Sequence, residues 1–364
     1  MPVRRRIAAI VTEYRTNSHS EVIVGRLLGE FGYRPQVEIV SLYTDQVPSN
    51  DGSREMAVRY GLPLFPTIAE AIQLPAQDGG LHGVVIIGEH GNYPKDDLRR
   101  TQYPRRRFLE ETLQAMDGIG LRVPVFSDKF LSWRIEDTLW MYGEIVWRGI
   151  PFMGGSAIPH TTHAPAFDGG KLQRAKEWLV LSFSREIEAY GYHALEVLQS
   201  LAERRPGGET GVKAITALEG EAVWRAMDGG EWPEELLLRA LEVCRRTAEH
   251  PRLSREPPVL FIVEYLDGAR GYVLQQHDLT PRWGFAFRDD QGEVVSSVCM
   301  SEDERPFSHF DILVRLIEQF MVTGREPFPK ERVLVSSALI NRAMESLSSR
   351  VRIETPELNI VYRP

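Results

Sequence analysis

Two ionisable residues stand directly after a short apolar stretch of the chain. Glu89 and His90 follow residues 83–88, GVVIIG. A carboxylate beside an imidazole can act as an acid–base pair or bind a metal ion; the alternative is that both side chains only hold a loop by hydrogen bonds. A continuous apolar run is typical of a strand buried on both faces of a parallel sheet. Because ligands bind at the carboxyl ends of such strands, the position favours a functional role.

Asp128 and Lys129 form a second pair, at the end of the next strand-like stretch. A lysine beside an aspartate keeps its charge, so Lys129 would orient a substrate hydroxyl or stabilise negative charge that develops in a reaction. The alternative is a structural ion pair. The position at a strand end again favours function.

A third group lies on a predicted helix in the second half of the chain. His193 and Glu196 are three residues apart in YGYHALE, with Tyr190 at its start. Residues at this spacing share one helix face, and a histidine there can act as a general acid or base near neutral pH. The alternative is a core histidine bonded to Glu196.

The same residues allow a divalent metal ion. His90 and His193 with the Glu196 carboxylate would be its ligands, with one position open for substrate or water. His160 and His163 in HTTH have a weaker chelating pattern, for which histidines in a surface loop or hinge are the alternative.

Alternating strand and helix patterns must position these groups. Over residues 1–160 they predict an α/β domain with a Rossmann-like, doubly wound parallel sheet. Over residues 161–364 a long helix and strand-like runs, with turns at Asp267–Gly268 and 289–292, predict an α+β domain with an open antiparallel sheet.

The first turn of the chain departs from what a parallel-sheet domain of this kind usually has. A nucleotide pyrophosphate needs glycines there, but residues 12–19 contain none. If NAD(P) binds, Asn17, Ser18 and His19 would face its phosphates, and Asp45 after the second strand would face the ribose. The glycine-free turn disfavours NAD(P) without excluding it.

Composition narrows the class of protein. The chain has 364 residues, which suggests about two domains. Its formal net charge of −8 argues against a general nucleic-acid binder. Its two cysteines offer neither a metal-binding spacing nor a disulfide framework, and the sequence contains no run of the length of a membrane span. We therefore expect a cytoplasmic protein that acts on a small molecule.

The order of these segments resembles the glucose–fructose oxidoreductase and inositol dehydrogenase (Gfo/Idh/MocA) family. The similar segments are REMAVRYGLPLFPTIAEAI, SDKF, EAYGYHALEVL and GREPFPKERVLVSSALINRAMES. The resemblance implies His19 at the start of the first helix, catalytic roles for Lys129 and His193, and a homodimer or homotetramer formed through the C-terminal sheet. The chain departs from the family at the glycine turn, at Phe130 where the family has Pro, and at Ala189 where it has Asp.

These departures lead us to expect a non-redox enzyme (a lyase, hydrolase or isomerase) that acts on a small polar, sugar- or polyol-like substrate. The alternatives are an NAD(P)-dependent oxidoreductase that uses Lys129 and His193, and a ligand-binding protein without catalysis. In the enzyme, residues from both domains would meet in one pocket: Glu89, His90, Asp128, Lys129, His193 and Glu196.

Overall fold

The structure is a computed structural model that describes residues 4–244, 250–277 and 279–364. It divides into two compact units. The first contains the chain up to Pro94, Thr101–Ala157 and Glu302–Leu334; the second contains Lys95–Arg100, Ile158–Ser301 and Val335–Pro364. The boundary predicted after residue 160 lies close to the division at Ala157, but a later segment rejoins the first unit.

Among the described residues of the first unit, a parallel sheet has six strands in the order β3-β2-β1-β4-β5-β6. The strands are β1 (Arg5–Val11), β2 (Val37–Thr44), β3 (Leu64–Phe65), β4 (Gly83–Ile87), β5 (Val125–Asp128) and β6 (Phe152–Gly155). The helices between them are α1 (His19–Leu27), α2 (Ser53–Tyr60), α3 (Ile68–Gln77), α4 (Arg105–Gly118) and α5 (Ile135–Trp147). The predicted Rossmann-like domain is confirmed.

The register of this sheet brings the ends of its central strands to one edge. Val11 of β1 pairs with Ile87 of β4, and Asp128 of β5 pairs with Gly155 of β6. Strand β4 is buried along its whole length, as its apolar run predicts. The residues that follow β1, β4 and β5 therefore lie at the same edge of the sheet.

The second unit contains a mixed sheet. In its described part the order is β14-β9-β10-β11-β8-β12-β13-β7, and neighbouring strands are antiparallel except β8 and β11, which are parallel. The strands are β7 (His163–Ala164), β8 (Ala175–Ser182), β9 (Val212–Glu219), β10 (Val259–Tyr265), β11 (Arg270–Gln275), β12 (Gly284–Asp289), β13 (Val294–Cys299) and β14 (Ile353–Glu354). The predicted α+β domain is confirmed, with one parallel pair that the hairpin pattern did not indicate.

Helices cover both faces of this sheet. They are α6 (Ile187–Ala202), α7 (Glu221–Asp228) and α8 (Glu234–Val243). Successive strand residues point to opposite faces. Leu260 and Ile262 of β10 share a core with Trp224 of α7. Between them, Phe261 approaches α6, where a Cβ on Gly191 would lie 2.8 Å from its ring.

This coverage bears on the predicted homodimer or homotetramer. That prediction assumed that one apolar face of the sheet would be left to water without a partner subunit. Within a single chain, strands β8, β10, β11 and β12 are buried almost throughout. Assembly through the C-terminal sheet stays a prediction, but an exposed sheet face does not support it.

The segment that returns to the first unit carries α9 (Phe310–Thr323), and α10 (Glu331–Ser349) follows it. Apolar residues of α9 belong to the core around the parallel sheet. The Glu318 carboxylate of α9 accepts hydrogen bonds from Tyr33 Oη at 2.7 Å and from Gln36 N at 2.5 Å. These contacts fix α9 beside the first helix and second strand.

Candidate functional site

We call residues 12–18, which join β1 to α1, the first turn. Ser18 Oγ accepts hydrogen bonds from Glu21 N at 3.1 Å and from Arg15 N at 3.2 Å. The Glu21 carboxylate accepts a hydrogen bond from Asn17 N at 2.6 Å. Side chains of the chain itself therefore bind backbone donors that a nucleotide phosphate would use at this end of a helix.

The charges of the first turn are paired. Arg15 Nε lies 2.5 Å from the Glu13 carboxylate. Arg305, which precedes α9, lies 2.8 Å from the Glu21 carboxylate and also donates to Asn17 Oδ1 at 2.7 Å. The side chains of the two arginines are 32% and 42% exposed. Each cation is thus matched by one carboxylate, and the side chains of Glu13 and Glu21 are only 6% and 12% exposed.

The ends of β4 and β5 carry a different arrangement, which we call the strand-end cluster: Glu89, Arg105 and Lys129. Lys129 Nζ lies 3.1 Å from Glu89 Oε1, and Arg105 donates to Glu89 Oε2. Burial would raise the pKa of Glu89, but Lys129 and Arg105 outweigh burial and hold that pKa well below its ordinary value. The carboxylate is therefore anionic, and the cluster has one more cation than anion.

Arg105 was not predicted as a site residue, because it lies in the basic run 99–108, which is typical of a solvated helix face. Its side chain is instead fully buried, with the guanidinium carbon 4.0 Å from the centre of the Phe130 ring. The ring face attracts the cation, so Phe130 helps to hold Arg105 in its buried position. A Cβ on Gly88 would lie 2.6 Å from Arg105 Cγ, so this glycine makes room for the arginine.

Adjacent residues in the sequence do not pair with each other at the end of β5. Asp128 and Lys129 are neighbours, but Asp128 Oδ2 lies 2.7 Å from His19 Nδ1, while Lys129 pairs with Glu89. Lys129 thus forms an ion pair with Glu89 rather than with its neighbour, and the alternative of a purely structural ion pair stays open. The aspartate orients the imidazole at the start of α1 instead.

His90 joins the first turn to the strand-end cluster. Its Nδ1 accepts a hydrogen bond from His19 N at 3.4 Å, and the two rings are 5.4 Å apart. Burial is the main cause that lowers the pKa of His90 to about 3; Glu89 opposes this effect, and His19 and Lys129 add to it. The ring is thus neutral near neutral pH and acts as a hydrogen-bond acceptor.

Backbone strain marks the same two strand ends. His90 and Lys129 have φ angles of +68° and +65°. Residues other than glycine adopt this left-handed conformation in only a few per cent of cases, histidine more often than lysine, and such residues are concentrated at functional sites. Lys129 N is held there by a hydrogen bond to Gly155 O at 3.0 Å.

Asp45, predicted to face a ribose, already has several donors. Tyr43 Oη and Tyr93 Oη each donate at 2.7 Å, and Arg107 donates as well. Burial raises the pKa of Asp45, but these donors together lower it below its ordinary value. A ribose hydroxyl would have to compete with them.

A cavity of about 290 Å³ lies beside Asp45, at the carboxyl ends of β2 and β3. Thr44, Arg54 and Phe65 line it. The buried Thr44 Oγ1 has no hydrogen-bond partner among the described residues. An apolar cavity with an unused hydroxyl and an arginine can accept a nucleoside, so the donor set fits that part of NAD(P) better than it fits the pyrophosphate.

The second unit places the third predicted group on α6. The His193 ring contacts Trp283 at 5.4 Å and Tyr190 at 6.3 Å between ring centres, and the Tyr190 and Trp283 rings are stacked. His193 and Glu196 are buried, at 9% and 1% exposure. Aromatic rings thus surround His193. Its predicted meeting with the residues of the first unit in one pocket stays a prediction.

The predicted metal sites are not supported. In the parts of the chain that the structure describes, no group of three or more His, Cys, Asp or Glu side chains could hold a metal ion. His163 lies on β7, stacked on Phe167 at 5.5 Å and in edge contact with Phe285. Burial, with a smaller effect of Arg204, lowers the pKa of His163. His160 ends a short 3₁₀ helix, residues 158–160.

Comparison with known proteins adds evidence about the fold. Neither a family model nor a curated protein sequence matches the chain. Several solved structures do match the chain. GenD2 from gentamicin A biosynthesis, in complex with NAD, is 13% identical over 97% of both chains with a TM-score of 0.59. A putative myo-inositol dehydrogenase from Sinorhizobium meliloti is 16% identical over 96% of this chain and 99% of that one, with a TM-score of 0.59.

A third structure, scyllo-inositol dehydrogenase from Lactobacillus casei with bound NAD(H) and scyllo-inositol, is 11% identical over 97% of this chain and 99% of that one, with a TM-score of 0.60. The chain therefore has the Gfo/Idh/MocA fold over nearly its full length, and the resemblance drawn from the sequence is confirmed at the level of fold. Within the described residues, no helix has both the length and the apolar composition to cross a membrane.

These structures correct our expectation of non-redox chemistry. They are inositol dehydrogenases and NAD-binding proteins, which favours the alternative of an NAD(P)-dependent oxidoreductase over a lyase, hydrolase or isomerase. The expectation rested on the missing glycines, Phe130 and Ala189. The glycines concern the binding of a pyrophosphate rather than the reacting groups at the ends of β4 and β5.

Proposed function

We propose that the chain is an NAD(P)-dependent oxidoreductase that acts on a hydroxyl group of a small sugar- or polyol-like molecule. The observation that carries the proposal is the strand-end cluster, in which a buried lysine is fixed at the carboxyl end of a parallel strand. Ligands bind at this edge in open α/β sheets.

Glu89 and Arg105 fix the position of Lys129. The anionic Glu89 carboxylate lies between the two cations, and the side chains of Glu89 and Lys129 are 6% and 7% exposed. A cation held in this way, where water is largely excluded, can bind a substrate hydroxyl and stabilise negative charge on its oxygen as a C–H bond breaks. Arg105 also stabilises the negative charge of Glu89, so the charge of Lys129 is only partly neutralised by that carboxylate.

Histidines would accept the proton of the substrate hydroxyl. His19 is oriented by Asp128, and its side chain is 17% exposed. His193 is the candidate that the family resemblance implies, and it comes from the second unit. An oriented imidazole can accept the hydroxyl proton near neutral pH.

A bound NAD(P)⁺ would supply the hydride acceptor. Thr44 and Arg54 in the cavity beside β2 would hold its nucleoside, and Asn17 would lie near its phosphates. Ser18 and Asp45 are committed to hydrogen bonds within the chain. The class of cofactor in this proposal is taken from the NAD-binding structures of the same fold, and the position of the cofactor is taken from these residues.

Replacing Lys129 tests the proposal. The wild-type chain should reduce NAD⁺ or NADP⁺, followed at 340 nm, with at least one compound of a panel of inositols and sugars. Lys129→Met removes the charge while keeping the length of the side chain, and it should lower kcat/KM by about 100-fold or more.

Lys330→Met is the matched control, because Lys330 also pairs with a carboxylate, that of Glu326, but in the loop between α9 and α10. It should leave the rate within about twofold of wild type. A Lys129→Met protein that keeps its circular dichroism spectrum and its full rate would contradict the proposal.

A further inference from the structure

A carboxylate occupies the place at the start of α1 where a nucleotide phosphate would bind. Glu21 Oε2 lies 2.6 Å from Asn17 N and 2.8 Å from Arg305 Nη1. A backbone N–H at a helix start and an arginine are the donors that a phosphate prefers. Glu21 thus has the contacts of a bound phosphate oxygen.

Arg305 secures this arrangement from outside the α/β repeat. It belongs to the segment that rejoins the first unit before α9, and it also donates to Asn17 Oδ1 at 2.7 Å. Its guanidinium lies 4.7 Å from the centre of the Phe31 ring. Contacts on both sides therefore hold the Glu21 carboxylate and the Arg305 guanidinium in place.

We propose that Glu21 is the residue that determines how tightly this chain binds the pyrophosphate of NAD(P). The inference rests on the proposed function. An incoming pyrophosphate must either displace the Glu21 carboxylate from Asn17 N and Arg305 or accept its negative charge nearby. Either event weakens nucleotide binding by like-charge repulsion. On this proposal the Glu21 carboxylate, rather than the absence of glycines, is the main reason for weak binding of the pyrophosphate.

The proposal predicts opposite effects for the two partners. Glu21→Gln keeps an acceptor for Asn17 N but removes the charge, so affinity for NADH should rise by about tenfold. Arg305→Gln leaves Glu21 charged and removes the cation that would pair with the phosphate in place of Glu21. Affinity for NADH should therefore fall by about threefold or more. A residue with only a structural role in capping α1 would lower affinity, or leave it unchanged, in both variants.

The experiment is a titration of the full chain with NADH by calorimetry, for the wild type and both variants. Adenosine, which has no phosphate, serves as the second probe, and its affinity should not change in Glu21→Gln. Glu55→Gln is the control, since Glu55 pairs with Arg59 on the exposed face of α2. It should bind NADH as the wild type does.

The outcomes separate the inference from the proposed function. If the wild type binds NADH but Glu21→Gln binds no more tightly, the inference fails and the oxidoreductase proposal stands. If neither protein binds NADH or NADPH at millimolar concentration, both fail. Should Glu21→Gln not fold, Glu21→Ala is titrated in its place: a rise in affinity for NADH supports the inference, and an unchanged or lower affinity overturns it.

Discussion

Two regions at the same edge of the parallel sheet handle charge in different ways. In the first turn, Arg15 and Arg305 are each matched by one carboxylate, and their side chains are 32% and 42% exposed. In the strand-end cluster, one carboxylate lies between two cations that are almost wholly buried. The first arrangement matches cations and carboxylates one to one, with the arginines partly in water, whereas the second has two cations for one carboxylate in a region of low dielectric.

The contrast indicates that cofactor binding and catalysis depend on different groups of this fold. Excess positive charge at a strand end suits a reaction in which negative charge develops on an oxygen atom. A neutral, self-bonded turn suits weak contact with a pyrophosphate. A fold can therefore keep its reacting groups while its phosphate turn loses every glycine.

Removing Glu89 should give the largest effect. Glu89→Gln leaves Arg105 and Lys129 buried without an anionic partner, and such changes typically destabilise a protein by about 3–5 kcal/mol. Glu21→Gln keeps a hydrogen-bond acceptor, and its cation Arg305 is 42% exposed and stays solvated, so the free energy of unfolding should fall by only about 1 kcal/mol. Urea denaturation of both variants measures the difference. Equal losses would show that the two regions do not differ in burial or charge balance.

The pH dependence of stability should sharpen the contrast. The pKa of His90 is about 3 in the folded chain and near 6.5 when unfolded. Between these values the unfolded state binds the extra proton, so stability is lost as the pH falls below about 6.5. At pH 5 the loss due to His90 is about 2 kcal/mol.

His90→Asn should remove that part of the loss, because asparagine tolerates the left-handed backbone at this position. Urea denaturation at pH 7 and pH 5 is the measurement. His309, whose pKa burial lowers to about 4, titrates over the same range in both proteins and serves as the common background. Identical pH dependence in the wild type and the variant would refute the role of His90.

The smallest effect is expected in the first turn. Arg15→Met removes the partner of Glu13, whose side chain is 6% exposed. Because Arg15 is 32% exposed and its loss opens the carboxylate to water, the free energy of unfolding should fall by only about 1 kcal/mol. The change should shrink further at high salt. A loss above 2 kcal/mol in urea denaturation would mean that the turn is as dependent on its charges as the strand-end cluster.

Much of the fold could be predicted from the sequence, since apolar periodicity reports which faces of strands and helices are buried. The return of α9 to the first unit could not, because it depends on partners such as Tyr33 and Glu318, which are 285 residues apart. The cover of the second sheet by α7 and α8 was missed for a similar reason. Their apolar faces are read correctly only once the strands beneath them are known.

The candidate site shows the same limit. Glu89, Lys129 and Asp128 were placed at strand ends by pattern, and the structure puts them there. Their pairing was not predictable, because Asp128 binds His19, 109 residues away, rather than its neighbour Lys129. Arg105 lies among other arginines in a basic run, where sequence alone offers no sign that one of them is buried.

The most direct test of the account is a calorimetric titration of the wild-type chain with NADH and NADPH at low ionic strength. The account predicts saturable binding of at least one of the two, weaker than low-micromolar because the first turn holds its own carboxylate in the phosphate position. Absence of binding to both nucleotides at millimolar concentration would contradict the proposal that this chain is an NAD(P)-dependent oxidoreductase.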